Sequence, residues 1–348
     1  MYIDYSYLLV LWWLLSIKRG VDCVNIGEVE ELVRQWSPLI WLAPGEKYLP
    51  MSAEDYLKHV KLAFKNGSEI EKVSLDGALQ DKLKDAILIP NDSINYLMDN
   101  TSSFIYGKNP NLQPVITYAL VQQCQNNTQS DVSNSDSSLH FHVSYWVFFP
   151  YNEGKQVCFI GSIPTLKIFN ICLGSMETLG NHLGDWEHMS LTFSGNRFPD
   201  QLYLAFHDSG VYYNYNHTGR YFRFSHQRKS IIQVPKFPQI VRTQGQHPVV
   251  FSANGSHGLW SAPGNIDFVR IPRLTDRNGY GTYWKTWNHI KIYHLNTSPL
   301  PFWLTYRGKW GNPKRNCYLF KKLGICQYSE GPVGPLWHER DFSCSTRS

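Results

Sequence analysis

From residue 115 onward the chain is a succession of short runs rich in aromatic and β-branched residues. They lie at 115–121, 141–149, 188–193, 201–207, 247–253 and 290–295, separated by Gly, Pro, Asn and Asp. Runs this short, with this punctuation, suit strands joined by tight turns, and they predict a mainly β fold, an antiparallel two-sheet β-sandwich. With 348 residues and 43% hydrophobic content, the chain can fill such a core. The region before it leans helical. Residues 27–36 have helical character closed by Pro38, and Ser52 opens a predicted helix over 53–64, with Glu54 and Asp55 at its positive end and Tyr56, Leu57, Val60 and Phe64 along one stripe. A third helix is expected over 78–86. The reading is an N-terminal helical segment, 24–110, packed on a sandwich, 111–348, as one compact unit. The polar tract 125–138 reads as a loop, and no internal repeat is present.

The start of the chain sets the compartment. Residues 8–17 (LLVLWWLLSI) are too short to span a bilayer and suit the apolar core of a signal peptide ending near Cys23. No Lys or Arg precedes that run and Lys18 and Arg19 follow it, so a retained signal anchor is the alternative. No later run reaches transmembrane length. Beyond Cys23 stand Cys124, Cys158, Cys172, Cys317, Cys326 and Cys344, an even number that fits disulfides in an oxidising compartment, with the pairing open. No CxxC pair suggests a zinc ribbon. Seven Asn-x-Ser/Thr sequons, at Asn66, Asn91, Asn100, Asn126, Asn216, Asn254 and Asn296, predict a glycosylated surface. The expected location is secreted, or the endolysosomal or vacuolar lumen.

The most informative stretch is residues 182–188, HLGDWEH. Read as a strand, 185–193 puts Asp185 and Glu187 in phase with Met189, Leu191 and Phe193, the row that ordinarily enters the core. Two carboxylates cannot be buried ionised without a cation, hydrogen-bond donors or an open mouth. A hard divalent ion would suit them, Ca²⁺ or Mg²⁺ ahead of Zn²⁺, with His182 and His257 as further candidate ligands; a structural carboxylate network is the alternative. Asp185, Glu187 and His257 are also the acid/base candidates. His140 and His142 share one strand face and are a weaker pair, more simply read as core or rim histidines. His207 and Asp208 end another strand, where Asp208 reads equally as a turn initiator. No G-x-S-x-G elbow, H-E-x-x-H helix or Gly-rich phosphate loop occurs.

Several segments together resemble the vacuolar protein sorting-associated protein 62 family, which has plant relatives described as a domain of unknown function. They are 36–46 (WSPLIWLAPGE) with 48–50 (YLP), 145–152 (YWVFFPYN), 184–188 (GDWEH), 247–252 (HPVVFS) with 255–258 (GSHG), 310–313 (WGNP) and 331–335 (GPVGP). The family name implies vacuolar trafficking. A more distant likeness is to necrosis-inducing secreted toxins, whose G-H-R-H-D-W-E heptapeptide lines a metal-holding cavity on a β-sandwich. Against 181–187 (NHLGDWE), His182, Asp185, Trp186 and Glu187 match, while Asn181, Leu183 and Gly184 depart, so an implied metal role rests on His182 and Asp185.

Three functions follow. The first is a metal- or carboxylate-dependent site for a glycan, glycolipid or membrane surface. The aromatic content of 15% and a basic stretch at 270–348, with 13 Lys and Arg against 4 Asp and Glu, accord with it and with anionic lipid as a partner. Nucleic acid is not expected for a secreted chain. The second is a hydrolase using Asp185 or Glu187 with His182 or His257. The third is a structural extracellular protein. Peptide mapping of secreted protein should find a mature start near Val24 and sugar on several sequons; an intact 8–17 segment with bare asparagines would overturn the compartment.

Overall fold

The computed structural model describes residues 26–64, 68–70, 82–124, 139–161, 163–165, 169, 171–207, 209–228, 230, 233, 235–270, 273–295, 297, 299–317 and 326–338. Strand dominates, at 48% against 13% helical, so the chain is mainly β. An eight-stranded sheet runs in the order Ile240–Val241, Tyr221–Arg228, Ser209–Asn216, Gln201–Phe206, His182–Ser194, His140–Asn152, Thr117–Gln123 and Ile290–His294. All neighbours are antiparallel except the last pair. A smaller sheet places Leu39–Trp41 between His247–Ser252, to which it is parallel, and Tyr283–Lys285.

His140–Asn152 and His182–Ser194 are interior strands buried on both faces, which explains why their sequences are apolar with little alternation. On one face Val143, Tyr145, Val147, Phe149, Met189, Leu191 and Phe193 share a core with Ile40, Val250, Phe251 and Trp284 of the smaller sheet. On the other, Trp146, Phe148 and Trp186 pack with Tyr56, Tyr118, Trp303 and Trp310. Each such aromatic contributes about 2–3 kcal/mol by leaving water.

The helix Ile26–Gln35 carries Val29, Leu32 and Val33 on one stripe, which Trp36 extends, all without solvent exposure and all in the first of those cores. Tyr145 donates its hydroxyl proton to the Val33 carbonyl oxygen at 2.8 Å, and so satisfies a group that the end of the helix would leave unpaired.

Two helix expectations are corrected. Over 53–64 only Ala53–Tyr56 is helical, and Val60–Phe64 is a strand antiparallel to Ala86–Pro90. Over 78–86, Lys82–Asp85 is a 3₁₀ turn that leads into the same hairpin, and 78–81 lies outside the described residues. Pairing between distant segments, reinforced when Leu88 N–H donates to the Lys309 carbonyl at 2.8 Å, outweighs local helix preference. The segment 24–110 therefore mixes short helices with strands, and its Leu39–Trp41 strand sits inside a sheet. The loop expected at 125–138 lies outside the described residues.

Trp36→Ala should lower unfolding free energy by about 3–5 kcal/mol in a denaturant melt, because the cavity left cannot refill. Glu31→Ala, which loses only an exposed ion pair with Arg197, should change it by less than about 1 kcal/mol.

Candidate functional site

The site begins where the large sheet opens. Gln201–Phe206 pairs with His182–Ser194 only from Gln201↔Thr192 to Leu204↔Met189, whereas pairing with His140–Asn152 continues to Asn152↔His182. Between 182 and 188 the strand thus has a paired strand on one side alone, and the other side, past the Leu183 N–H bond to Asn312 Oδ1, gives onto a cavity of about 760 Å³. Asp185, Glu187, His182, Lys155 and His207 line it, with aromatic surface from Tyr203, Phe206, Phe268 and Trp337. Gly184 makes the bend that starts this stretch. Its φ is +64°, and a Cβ there would lie 2.0 Å from the Trp310 carbonyl oxygen, so no other residue fits.

Asp185 and Glu187 remain in phase with Met189 but have opposite ionisation preferences. At Asp185 burial pushes the pKa up, yet the His257 hydrogen bond and the fields of His182, His257 and His207 outweigh it, and the pKa falls below 3.8. At Glu187 burial raises the pKa well above 4.5, and the negative charges of Asp185 and Asp276 raise it further. Their surroundings thus favour the charged form at Asp185 and the neutral form at Glu187, on the same strand face. His182 accepts no proton readily: burial lowers its pKa, Asp185 opposing. Its Nδ1–H donates to the Gly184 carbonyl at 3.0 Å, leaving a lone pair on Nε2.

His257 packs behind Asp185. Its Nδ1 lies 2.8 Å from Asp185 Oδ2, its Nε2 lies 3.1 Å from the Tyr48 carbonyl oxygen, and its ring stacks on Phe149 at 3.8 Å. Both ring nitrogens are thus directed at protein oxygens, one of the large sheet and one of the 46–48 loop. Residue 257 takes this position with a φ of +60° in a tight loop where Gly255 N–H donates to Glu46 Oε2 at 2.8 Å. Glu46 Oε1 accepts from Tyr48 N–H at 2.9 Å, so one carboxylate ties both loops together.

A further buried carboxylate adjoins this group. Asp276 has no solvent exposure and accepts from Ser256 Oγ at 2.8 Å, Trp260 Nε1 at 3.0 Å and Lys155 Nζ at 2.7 Å, with His207 Nε2 3.3 Å away. Burial pushes its pKa up, but His207 and Lys155 more than reverse this and hold it well below the usual range.

The structure therefore brings His182, Asp185 and Glu187 to one cavity wall, places His207 on the same cavity, and sets His257 as the support of Asp185. Asp208 lies outside the described residues. His142 is about 23 Å along the sheet from Asp185, its Nδ1 3.1 Å from Thr192 Oγ1, with burial lowering its pKa to about 4, and His140 lies further still. Among the described residues no three His, Cys, Asp or Glu side chains are grouped to hold a metal ion. Sequence reasoning missed Glu46, Lys155 and Asp276. Only Asp276, in phase with Leu274 on one face of a strand, carried a signal that could have been read.

Disulfides join Cys158 to Cys172 and Cys317 to Cys326, and Cys124 is also disulfide-bonded; Cys23 and Cys344 lie outside the described residues. Of the sequon asparagines, Asn91 is exposed, Asn100, Asn216 and Asn254 are half-buried, and Asn66, Asn126 and Asn296 lie outside the described residues.

No solved structure matches the chain. Two proteins of Saccharomyces cerevisiae are similar along most of it. The vacuolar protein sorting-associated protein TDA6 is 24% identical, over 90% of this chain and 68% of its own length. Vacuolar protein sorting-associated protein 62 is 22% identical, over 89% of this chain and 66% of its own length. The family model for vacuolar protein sorting-associated protein 62 matches residues 22–267, a span that includes Glu46, Asp185, Glu187 and His257 and ends before Asp276. This chain belongs to the vacuolar protein sorting-associated protein 62 family.

Proposed function

We propose that the cavity beside 182–188 binds a hydroxyl-rich ligand, a glycan or the head of a glycolipid, in the lumen of the secretory or endolysosomal system or outside the cell. The observation that carries this is the placement of Asp185 and Glu187 two residues apart on one strand at the cavity wall, the first favoured in its charged form and the second in its neutral form. An ionised carboxylate accepts from two sugar hydroxyls, and a neutral acid both donates and accepts. Tyr203 and Trp337 line the cavity and would supply aromatic surface against a sugar. The two disulfides suit an oxidising compartment. The yeast relatives are named for vacuolar sorting, and delivery to such a lumen accords with that name.

The same pair favours a second reading. A neutral acid and an ionised carboxylate in one cleft are the two groups that glycoside hydrolysis requires, with Glu187 protonating the leaving oxygen and Asp185 acting as base or nucleophile. His257 would position Asp185 rather than take the proton itself.

Two isosteric variants separate these readings. In a glycan-binding screen Asp185→Asn should lose affinity about ten-fold or more, since a charge-assisted acceptor is removed. Glu187→Gln should keep binding within about three-fold, because the amide still donates and accepts. If the wild type releases sugar on prolonged incubation and Glu187→Gln does not, the hydrolase reading holds. If chelation abolishes binding and Ca²⁺ restores it, a cation takes part and the carboxylate-only site is wrong.

The ionisation states have their own test. Asp185→Asn should also cost about 3–5 kcal/mol of stability by stranding His257. The folded pKa of Glu187 lies above its ordinary 4.5, so the stability it contributes is full below that value and is lost as pH rises through the folded pKa. Glu187→Gln should therefore unfold at a higher midpoint than wild type near pH 8, the gap closing by about pH 4.

A further inference from the structure

A small three-stranded sheet rises from the cavity rim, and its far end is coated with apolar side chains. Lys155–Ile160 pairs with Ile163–Thr165 on one side and Ser175–Leu179 on the other. Its roots, Gly154, Lys155, Leu179 and Gly180, line the cavity. At the other end Ile160, Ile163, Phe169, Ile171, Leu173 and Met176 are all exposed, Phe169 at 94%. A folded protein does not leave so many large apolar residues together in water without a use for them. The Cys158–Cys172 bond closes the segment that carries Phe169 and Ile171, so part of the entropy of ordering that tip is already spent.

We propose that this tip is a membrane-docking element, and that its occupant is the interface of an anionic bilayer. Three observations select lipid over a protein partner. The apolar residues sit at turns and strand ends, not along a groove that could hold a peptide. Residues 158–176 contain no Asp or Glu and one charged residue, Lys167, and Glu177 lies next along the strand on the cavity side. A second cross-linked hairpin, Arg315–Cys317 with Cys326–Tyr328, lies alongside. Gly180 N–H donates to the Cys326 carbonyl and Asn181 N–H to that of Gln327, both at 3.0 Å. Residues 312–329 hold four Lys or Arg and no acidic residue, and Lys314 and Arg315 are exposed. An apolar tip with a cationic hairpin beside its root is the pattern of a peripheral element that inserts shallowly among anionic lipids. No helix among the described residues is long and apolar enough to cross a membrane.

The proposal stands apart from the sugar reading of the cavity, and its test does not depend on it. The disulfide-intact protein is sedimented with phosphatidylcholine vesicles, with and without about 30% phosphatidylserine. Wild type should pellet with the anionic vesicles. The double variant Phe169→Asp/Ile171→Asp should lose about ten-fold or more of that binding. It should keep the wild-type unfolding midpoint, because both side chains are exposed. Lys314→Glu/Arg315→Glu should weaken binding to anionic vesicles and leave neutral ones unaffected. The proposal is overturned if wild type pellets with neither vesicle, or if the Asp variant pellets as wild type does. It is equally overturned if light scattering finds a wild-type dimer that the Asp variant dissolves, since the tip would then bind a second copy.

Discussion

The buried contact between Asp185 and His257 is the interaction on which the rest of the site depends. It joins a strand of the large sheet to a loop of the small one, 72 residues further along the chain, and its hydrogen bonds continue to the Tyr48 carbonyl. An unpaired charge at Asp185 would be costly in so apolar a setting, so its partner must be held in place without freedom. Phe149 beneath the imidazole and Glu46 bridging the two loops supply that restraint. The sharp backbone at His257 is tolerated because these contacts over-determine it.

That fixed charge has a consequence for its neighbour. Glu187 lies two residues along the same face, close to both Asp185 and Asp276, and cannot afford a third buried negative charge in the same region. The asymmetry between the two acids thus arises from placing one donor-rich partner behind one of them. Asp276, with Lys155, His207, Ser256 and Trp260 around it, braces the adjacent wall in the same way. The cavity is a gap in a sheet whose edges are stiffened by buried ionic contacts, and its aromatic walls come from strands that part on either side of it.

Much of the fold was legible locally. The strands at 141–149 and 188–193 were readable because both their faces are apolar, and they are interior neighbours in the large sheet. The first helix was readable because Val29, Leu32, Val33 and Trp36 repeat at helical spacing. The stretch 53–64 misled because Tyr56, Leu57, Val60 and Phe64 fit a helical stripe as well as a strand end, and the strand that claims Val60–Phe64 is contributed by Ala86–Pro90. Two pairs of parallel neighbours, Leu39–Trp41 with His247–Ser252 and Thr117–Gln123 with Ile290–His294, join segments too distant for any local pattern to announce.

Sequence by itself determined the β-rich texture, the cysteine set and the in-phase pair Asp185 and Glu187, because the two-residue period of a strand is written in consecutive residues. It did not determine which acid favours its charged form, what supports it, or that the ring nitrogens of His257 are directed at Asp185 and the Tyr48 carbonyl. Those properties depend on burial and on partners contributed by the 46–48, 155, 207 and 253–258 segments and by Asp276. Ionisation follows the field of every group that packs nearby, and only the tertiary structure decides which groups those are.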